Sequence, residues 1–359
     1  MIIGHGGNIF DAAAQIGCRP TDIIDMSSNI NPLGPMKTLV DHLSSRFHTV
    51  TRLPDVDARR AVELFAAVHR LKHGNVLAGN GSTEFIYSLP QALTPRKVLI
   101  LGPTYADYAD ACSRQGLHVA HRLSAEENEF LPDLQWLQRH AGGFDTVFIC
   151  NPNNPTGVLI RGEEIAALCR RHPGTCFVVD ESYLLFVPDG RHHSLANHLP
   201  QNAVVLHSLS KIFRIPGLRV GFLIAAESLV ERFRPWMLPW NVNGLAQAAV
   251  EFLMQQHREI EAFVGRSSDY VRREREKLFQ VLKSRTRAVP YPSETVFFLV
   301  RLPDGKTASE VKAALLRHRL LIRDCSNFEG LSQRYIRISV KTTESNQLLA
   351  ERLTAELNR

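Results

Sequence analysis

The sequence predicts an α/β protein: a mainly parallel sheet sandwiched by helices, a smaller α+β domain at the C-terminal end, and an N-terminal arm. Three observations carry this. Short apolar runs rich in β-branched residues alternate with longer amphipathic stretches from the early eighties to about residue 226. After Pro239 the alternation stops and a long helical pattern takes over. The chain has 359 residues, enough for two regions with separate cores. Strand and helix signals in alternation mark βαβ units, whose helices cover both faces of a parallel sheet.

The arm is expected over residues 1–45, packed with the small domain. A helical pattern runs from about Ile9 through Ala14. Asn29-Ile30-Asn31-Pro32-Leu33-Gly34-Pro35 follows as a turn-rich, extended stretch, because proline restricts both itself and the residue before it. The large domain is expected over 46–243, with candidate strands at 98–101, 146–150, 177–179, 203–206 and 220–225. Helices are expected over 85–92 and 161–171. The small domain, 244–359, should open on one long helix to about 284. Candidate strands at 295–301 and 335–340 then flank a helix near 308–317.

Apolar residues make up 44% and charged residues 22% of the chain, the balance of an ordinary soluble globular protein. The net charge of +6 is spread along the sequence. Its densest run, Arg272-Arg273-Glu274-Arg275-Glu276-Lys277, has mixed sign and reads as a solvated helix face, not a nucleic-acid stripe. No apolar run reaches the roughly 18 residues of a membrane span, and no secretory signal opens the chain. The six cysteines form no CxxC pair, and no histidine cluster has zinc spacing. A cytoplasmic protein without disulfides or a structural metal is expected.

The strongest chemical signal is His207-Ser208-Leu209-Ser210-Lys211-Ile212-Phe213-Arg214-Ile215-Pro216-Gly217-Leu218-Arg219, directly after the run 203–206. Lysine at the end of a buried strand is unusual. Ser208, Ser210 and Arg219 can donate to a phosphate. An amine beside a phosphate site is what a Schiff-base lysine with pyridoxal 5′-phosphate (PLP) requires. Asp180 ends the run 177–179, where a parallel sheet places its site residues. A carboxylate there can pair with a protonated pyridine nitrogen. Tyr183, three residues on, can bond the cofactor's phenolic oxygen. Asn151-Pro152-Asn153-Asn154-Pro155-Thr156-Gly157 is a rigid turn that can present the Asn154 amide to the same oxygen. In Gly79-Asn80-Gly81-Ser82-Thr83-Glu84, small residues precede a helix and make a natural phosphate cradle. Tyr105 offers a ring for stacking. Each feature alone has an ordinary reading: a loop lysine, a strand cap, an N-cap, a packed tyrosine. Their co-occurrence overrides those readings.

Together these motifs resemble the class I/II aminotransferases, fold-type I PLP enzymes, from about Asn29 to the C-terminus. The resemblance implies a homodimer with active sites at the subunit interface. It makes Lys211 the cofactor-bearing amine and Asp180 the partner of the pyridine nitrogen. Tyr183 and Asn154 fall at the phenolic oxygen and Tyr105 on the ring. Ser82, Thr83, Ser208, Ser210 and Arg219 fall at the phosphate. Arg337, in Tyr335-Ile336-Arg337-Ile338-Ser339, is similar to the family's substrate-anion arginine.

Two branches share these motifs. Histidinol-phosphate aminotransferases usually carry an Asn-Glu-Asn-Pro-like string where this chain has Asn29-Ile30-Asn31-Pro32. That string, the start Gly4-His5-Gly6-Gly7-Asn8, and Leu321-Ile322-Arg323-Asp324-Cys325-Ser326-Asn327 resemble the threonine-phosphate decarboxylase branch of cobalamin biosynthesis. This resemblance covers essentially the whole chain. It implies conversion of L-threonine O-3-phosphate to (R)-1-amino-2-propanol O-2-phosphate and CO₂. It also implies that His5, Gly6, Asn29, Asn154, Arg323 and Arg337 touch the substrate. One position departs. Where both branches usually have Arg-Tyr-Pro-Asp, this chain has Arg52-Leu53-Pro54-Asp55. Leu53 cannot give the hydrogen bond by which that tyrosine reaches the partner subunit's cofactor phosphate. The alternatives are a related phosphoamino acid such as phosphoserine, an aminotransferase of the histidinol-phosphate type, and a non-catalytic binding protein of the same fold.

Overall fold

Where the apolar residues fall decides two main sheets, and a two-stranded pair accompanies them. The computed structural model describes residues 6–358. After the short strand β1 (Ile24–Asp25), the chain builds a central sheet. Its strands are β2 (Val76–Gly79), β3 (Val98–Gly102), β4 (Val119–Leu123), β5 (Thr146–Cys150), β6 (Cys176–Asp180), β7 (Ala203–Ser208) and β8 (Gly221–Ala225), in the order β2-β8-β7-β6-β5-β3-β4. All neighbours are parallel except β8, which runs antiparallel to both β2 and β7. The inner strands are buried along their length. A strand covered on both faces reads as a continuous apolar run, which is how β3, β5, β6, β7 and β8 were visible in the sequence. Val205, Phe222 and Ile224 pack on one face with Phe65 and Val250. Val204, Leu206 and Leu223 pack on the other with Phe85 and Tyr108.

Two strands of this sheet left no apolar run. β4 is an edge strand whose Ala120 and His121 are exposed. An edge strand with one neighbour buries little and needs no such run. β2 is four residues long and ends in Ala78-Gly79.

The C-terminal strands are β9 (Val289–Pro290), β10 (Phe297–Arg301), β11 (Leu320–Leu321), β12 (Arg323–Asp324) and β13 (Tyr335–Ser339). An antiparallel sheet forms in the order β12-β13-β10-β9, while β11 pairs in parallel with β1. The N-terminal segment is thus tied to this end of the molecule. Ala12, Ala13 and Ile23 pack on Leu316 and Leu321, and Met26 enters the C-terminal core.

The single helix expected over 244–284 is two helices, Gly244–Gln255 and His257–Arg285, separated at Gln256 (φ −98°, ψ 44°). Ala246, Val250, Ile260, Phe263 and Val271 belong to the core of the central sheet. Leu278 and Leu282 belong to the C-terminal core. The two cores therefore meet within the second helix, past the boundary expected at 243/244. The mixed-charge run lies on this helix and is only partly solvated. Helical periodicity turns Glu274 inward with Val271 and Leu278. There its carboxylate accepts from Lys277 Nζ (2.8 Å) and Asn346 Nδ2 (3.2 Å). No described helix is long and apolar enough to cross a membrane.

Candidate active site

The carboxyl ends of parallel strands β5 and β6, with the loop after β7, open on a cavity of about 500 Å³. Open α/β sheets place their ligands at such strand ends. Asp180, the last residue of β6, is buried in its wall. Its Oδ2 accepts from the Tyr108 hydroxyl (2.8 Å) and its Oδ1 from the Ser182 N–H (2.9 Å). Both donors fix the carboxylate's direction. Lys211, just beyond β7, is half-buried in the same wall. Burial, the largest cause, pushes its ammonium down to about 8; Arg219 adds to this, Asp180 opposes it, and Arg337 adds again.

The helix Ser82–Leu93 points its N-terminus at this cavity, with Ser82 and Thr83 in the wall. Glycine is needed at its entry. Gly81 has φ +79°, and a Cβ there would lie 2.6 Å from Arg219 Nη2. A Cβ on Gly221 would lie 2.5 Å from the Ser82 nitrogen. The two glycines let the Arg219 guanidinium and the helix N-terminus approach each other. Donors so gathered are the kind that can hold a phosphate. Ser208 is buried at the end of β7. The Ser210 hydroxyl donates to the Val220 carbonyl (3.1 Å), and neither serine lines the cavity. Tyr105 stands in the wall, its ring edge-on to Tyr108 at 5.7 Å.

The opposite wall comes from the C-terminal sheet and the N-terminal segment. Arg323 on β12 and Arg337 on β13 are direct cross-strand partners. Like charges so placed repel, which suits them to hold an anion between or beside them. Arg337 is buried. It donates through Nη1 to Asn154 Oδ1 and through Nη2 to the Ser27 carbonyl (2.6 Å), with the Phe297 ring 5.1 Å from its guanidinium carbon. Its Nε is buried without a hydrogen-bond partner. Arg323 donates to Asn327 Oδ1 (2.7 Å) and lies over Phe328. Asn29 Nδ2 donates to the Tyr183 hydroxyl (3.3 Å), while its Oδ1 accepts from Ser339 Oγ. Burial pushes the Tyr183 phenol up to about 12, so it stays protonated at neutral pH.

Gly6 and Gly7 also line the cavity. A Cβ on Gly6 would sit 2.5 Å from the Ser27 carbonyl oxygen, so only glycine passes so close. The Gly7 N–H donates to Ser27 Oγ (2.8 Å), whose own proton goes to Asp25 Oδ1 (2.6 Å). His5 lies outside the described residues. Leu53 is 75% exposed and is not part of this wall.

The cavity thus gathers Lys211, Asp180, Tyr183, Asn154, Tyr105, Ser82, Thr83, Gly6, Asn29, Arg323 and Arg337. Sequence reasoning missed Tyr108 and Ser27. Tyr108 had a usable signal. It shares the inward helix face with Ala111 and Cys112, and a tyrosine buried in a core needs a partner for its hydroxyl. A buried carboxylate, a low-pKa amine and a glycine-lined cradle beside a guanidinium are the groups that PLP needs, and these residues fit it.

The profile of the family "Aminotransferase class I and II" matches residues 21–353. The chain is 31% identical over 348 residues to a threonine-phosphate decarboxylase of Salmonella typhimurium, covering 96% of this chain and 94% of that one. A histidinol-phosphate aminotransferase of Methanothermobacter thermautotrophicus is 29% identical over 354 residues, with 96% and 92% covered. Among solved structures, an L-threonine-O-3-phosphate decarboxylase from Porphyromonas gingivalis superposes with a TM-score of 0.82 at 30% identity, covering 93% of this chain and 99% of that one.

Proposed function

The chain belongs to the aminotransferase class I and II family, its cofactor is PLP, and we propose that within this family it decarboxylates L-threonine O-3-phosphate. The observation that carries this reading is the N-terminal segment. Gly6 and Gly7 are drawn onto Ser27 and stand in the cavity wall with Arg323 and Arg337. The segment narrows the substrate side and brings its backbone to a doubly anionic ligand.

Bound PLP draws electrons from whichever Cα bond stands perpendicular to its ring. The protein's part is to choose that bond and to manage protons. In this reading Asp180, aimed by Tyr108, keeps a proton on the ring nitrogen. Tyr183 and Asn154 would donate to the phenolic oxygen, and Tyr105 would cover the ring. The phosphate would rest on the amides of Ser82 and Thr83 beside Arg219, with Ser208 and Ser210 outside the cavity lining. Arg323 and Arg337, with Asn29, Asn154, Gly6 and His5, would hold the substrate's phosphate and carboxylate and so choose which Cα bond is weakened. The Cα–carboxylate bond then breaks and CO₂ leaves. Lys211 would then return a proton to Cα, so that loss of CO₂ takes up one proton overall.

The same reading divides the chain into an arm (1–45), a PLP-binding domain (46–243) and a small domain (244–359) whose first helices pack on the core of the central sheet. It makes the enzyme a cytoplasmic homodimer. Phe47, Val50, Leu53 and Val56, with Trp236, Leu238 and Trp240, are large exposed apolar residues that a second subunit would cover.

The test is product analysis with phosphothreonine and no keto acid. CO₂ and aminopropanol phosphate are expected, with phosphoserine turned over more slowly. Neither product, together with glutamate formed from histidinol phosphate and 2-oxoglutarate, would replace the decarboxylase reading with the aminotransferase one.

A further inference from the structure

Outside the cavity, one carboxylate gathers donors from three places in the chain. Glu126 stands in the short 3₁₀ turn Glu126–Asn128, just after edge strand β4 of the central sheet. Its Oε1 accepts from the Tyr291 hydroxyl (2.5 Å) and faces Arg301 Nε (2.5 Å); its Oε2 accepts from the Tyr335 hydroxyl. Tyr291 follows β9, Arg301 ends β10, and Tyr335 opens β13. Arg301 and Tyr335 are direct cross-strand partners, so one carboxylate clasps the end of the antiparallel sheet. Phe130, four residues after Glu126, sets its ring edge-on to Tyr291 (4.9 Å) and Tyr335 (6.0 Å).

We infer that Glu126 is a positioning residue for the substrate's anion site, latching the sheet that carries Arg337 and Arg323 to the edge of the cofactor-binding sheet. Tyr335 lies two residues before Arg337 on the same strand, so both side chains project from one face of β13. Phe328, which lines the cavity beneath Arg323, packs in the same cluster as Phe130, Tyr291 and Tyr335. A second contact supports the join. The Leu123 side chain fills the space a Cβ would need on both Gly102 (2.8 Å) and Gly330 (2.9 Å), the latter in the loop between Phe328 and β13. Glu126 does not itself line the cavity. Its charge is matched to two hydroxyls and a guanidinium that the C-terminal sheet alone provides. Losing it frees β13 to shift against the Lys211–Asp180 frame.

The inference rests on the phosphoamino-acid reading of the site, and the test separates the two. Phosphothreonine is titrated into PLP-loaded enzyme, and binding is followed by the change in the cofactor's visible absorbance. For Glu126→Ala, phosphothreonine binding and KM should weaken by about three- to thirtyfold. PLP affinity, and the pH at which the unliganded enzyme's absorbance titrates, should stay at their wild-type values. Glu126→Gln should recover much of the loss, and Tyr335→Phe, which removes one hydroxyl from an otherwise intact ring cluster, should show a smaller shift in the same direction. If Glu126→Ala does not fold, Tyr335→Phe carries the test alone. Unchanged KM in these variants, or equal losses in PLP and substrate binding, overturns the latch. Wild-type enzyme that gives no response to phosphothreonine overturns the functional reading instead.

Discussion

The two walls of the cavity are built in different ways. The wall proposed for the cofactor is local: Asp180 ends one strand of the central sheet, Lys211 lies in the loop after another, and Ser82 and Thr83 open one helix. The substrate wall is assembled from afar. Arg337 meets Ser27 across 310 residues of sequence and Asn154 across 183. Asp180 sits on a strand end buried on both faces, and such a position is stiff. The substrate groups depend on a second sheet and the N-terminal segment keeping their place against the first. The lesson is that one wall can be altered while the other is left standing.

The largest expected effect is on the cofactor wall. Lys211→Ala should abolish the borohydride-reducible attachment of PLP. It should also cut turnover by at least about 10²–10⁴-fold, the worth of a positioned proton carrier alone. A variant that still gives a borohydride-stable adduct would move the attachment to another lysine.

Arg337→Ala tests the other wall. Each lost charge-assisted bond should weaken phosphothreonine binding by about ten- to hundredfold, with PLP retained. Arg337→Lys should restore only part of this, since a point charge lacks the fork that spans Asn154 and Ser27. A parallel loss of cofactor would show that the walls are not separable.

The smallest effect concerns the frame behind Asp180. Glu181 is buried, accepting from Ser194 Oγ (2.6 Å) and the Leu195 N–H (2.7 Å). Burial is the main cause that pushes its carboxyl from 4.5 up to about 7. The folded protein therefore keeps a proton that the unfolded chain releases near 4.5. Stability from this group is complete below that pH and is lost as pH rises through about 7. Glu181→Gln should remove this loss, gaining up to about 3 kcal/mol on wild type by pH 8. Urea midpoints measured from pH 4.5 to 8 check it; parallel profiles for the two proteins would sink the claim.

Short windows of sequence carried the parallel core of the fold, the family and the residues that line one wall of the cavity. Strands buried on both faces need unbroken apolar runs, and the residues that follow such runs are placed by them. Lys211, Asp180 and the Gly81–Thr83 turn could therefore be read from short windows. Tertiary structure alone decided the rest. Exposed β4 carried no apolar signal, and Gln256 broke a helix whose apolar period ran on across it. Tyr108 found Asp180 across 72 residues. Arg323 and Arg337 became neighbours only through the register of β12 on β13, and Glu126 reached Tyr291 and Tyr335 only when two sheets met. Such contacts depend on strand register and sheet packing, which no local pattern of residues encodes.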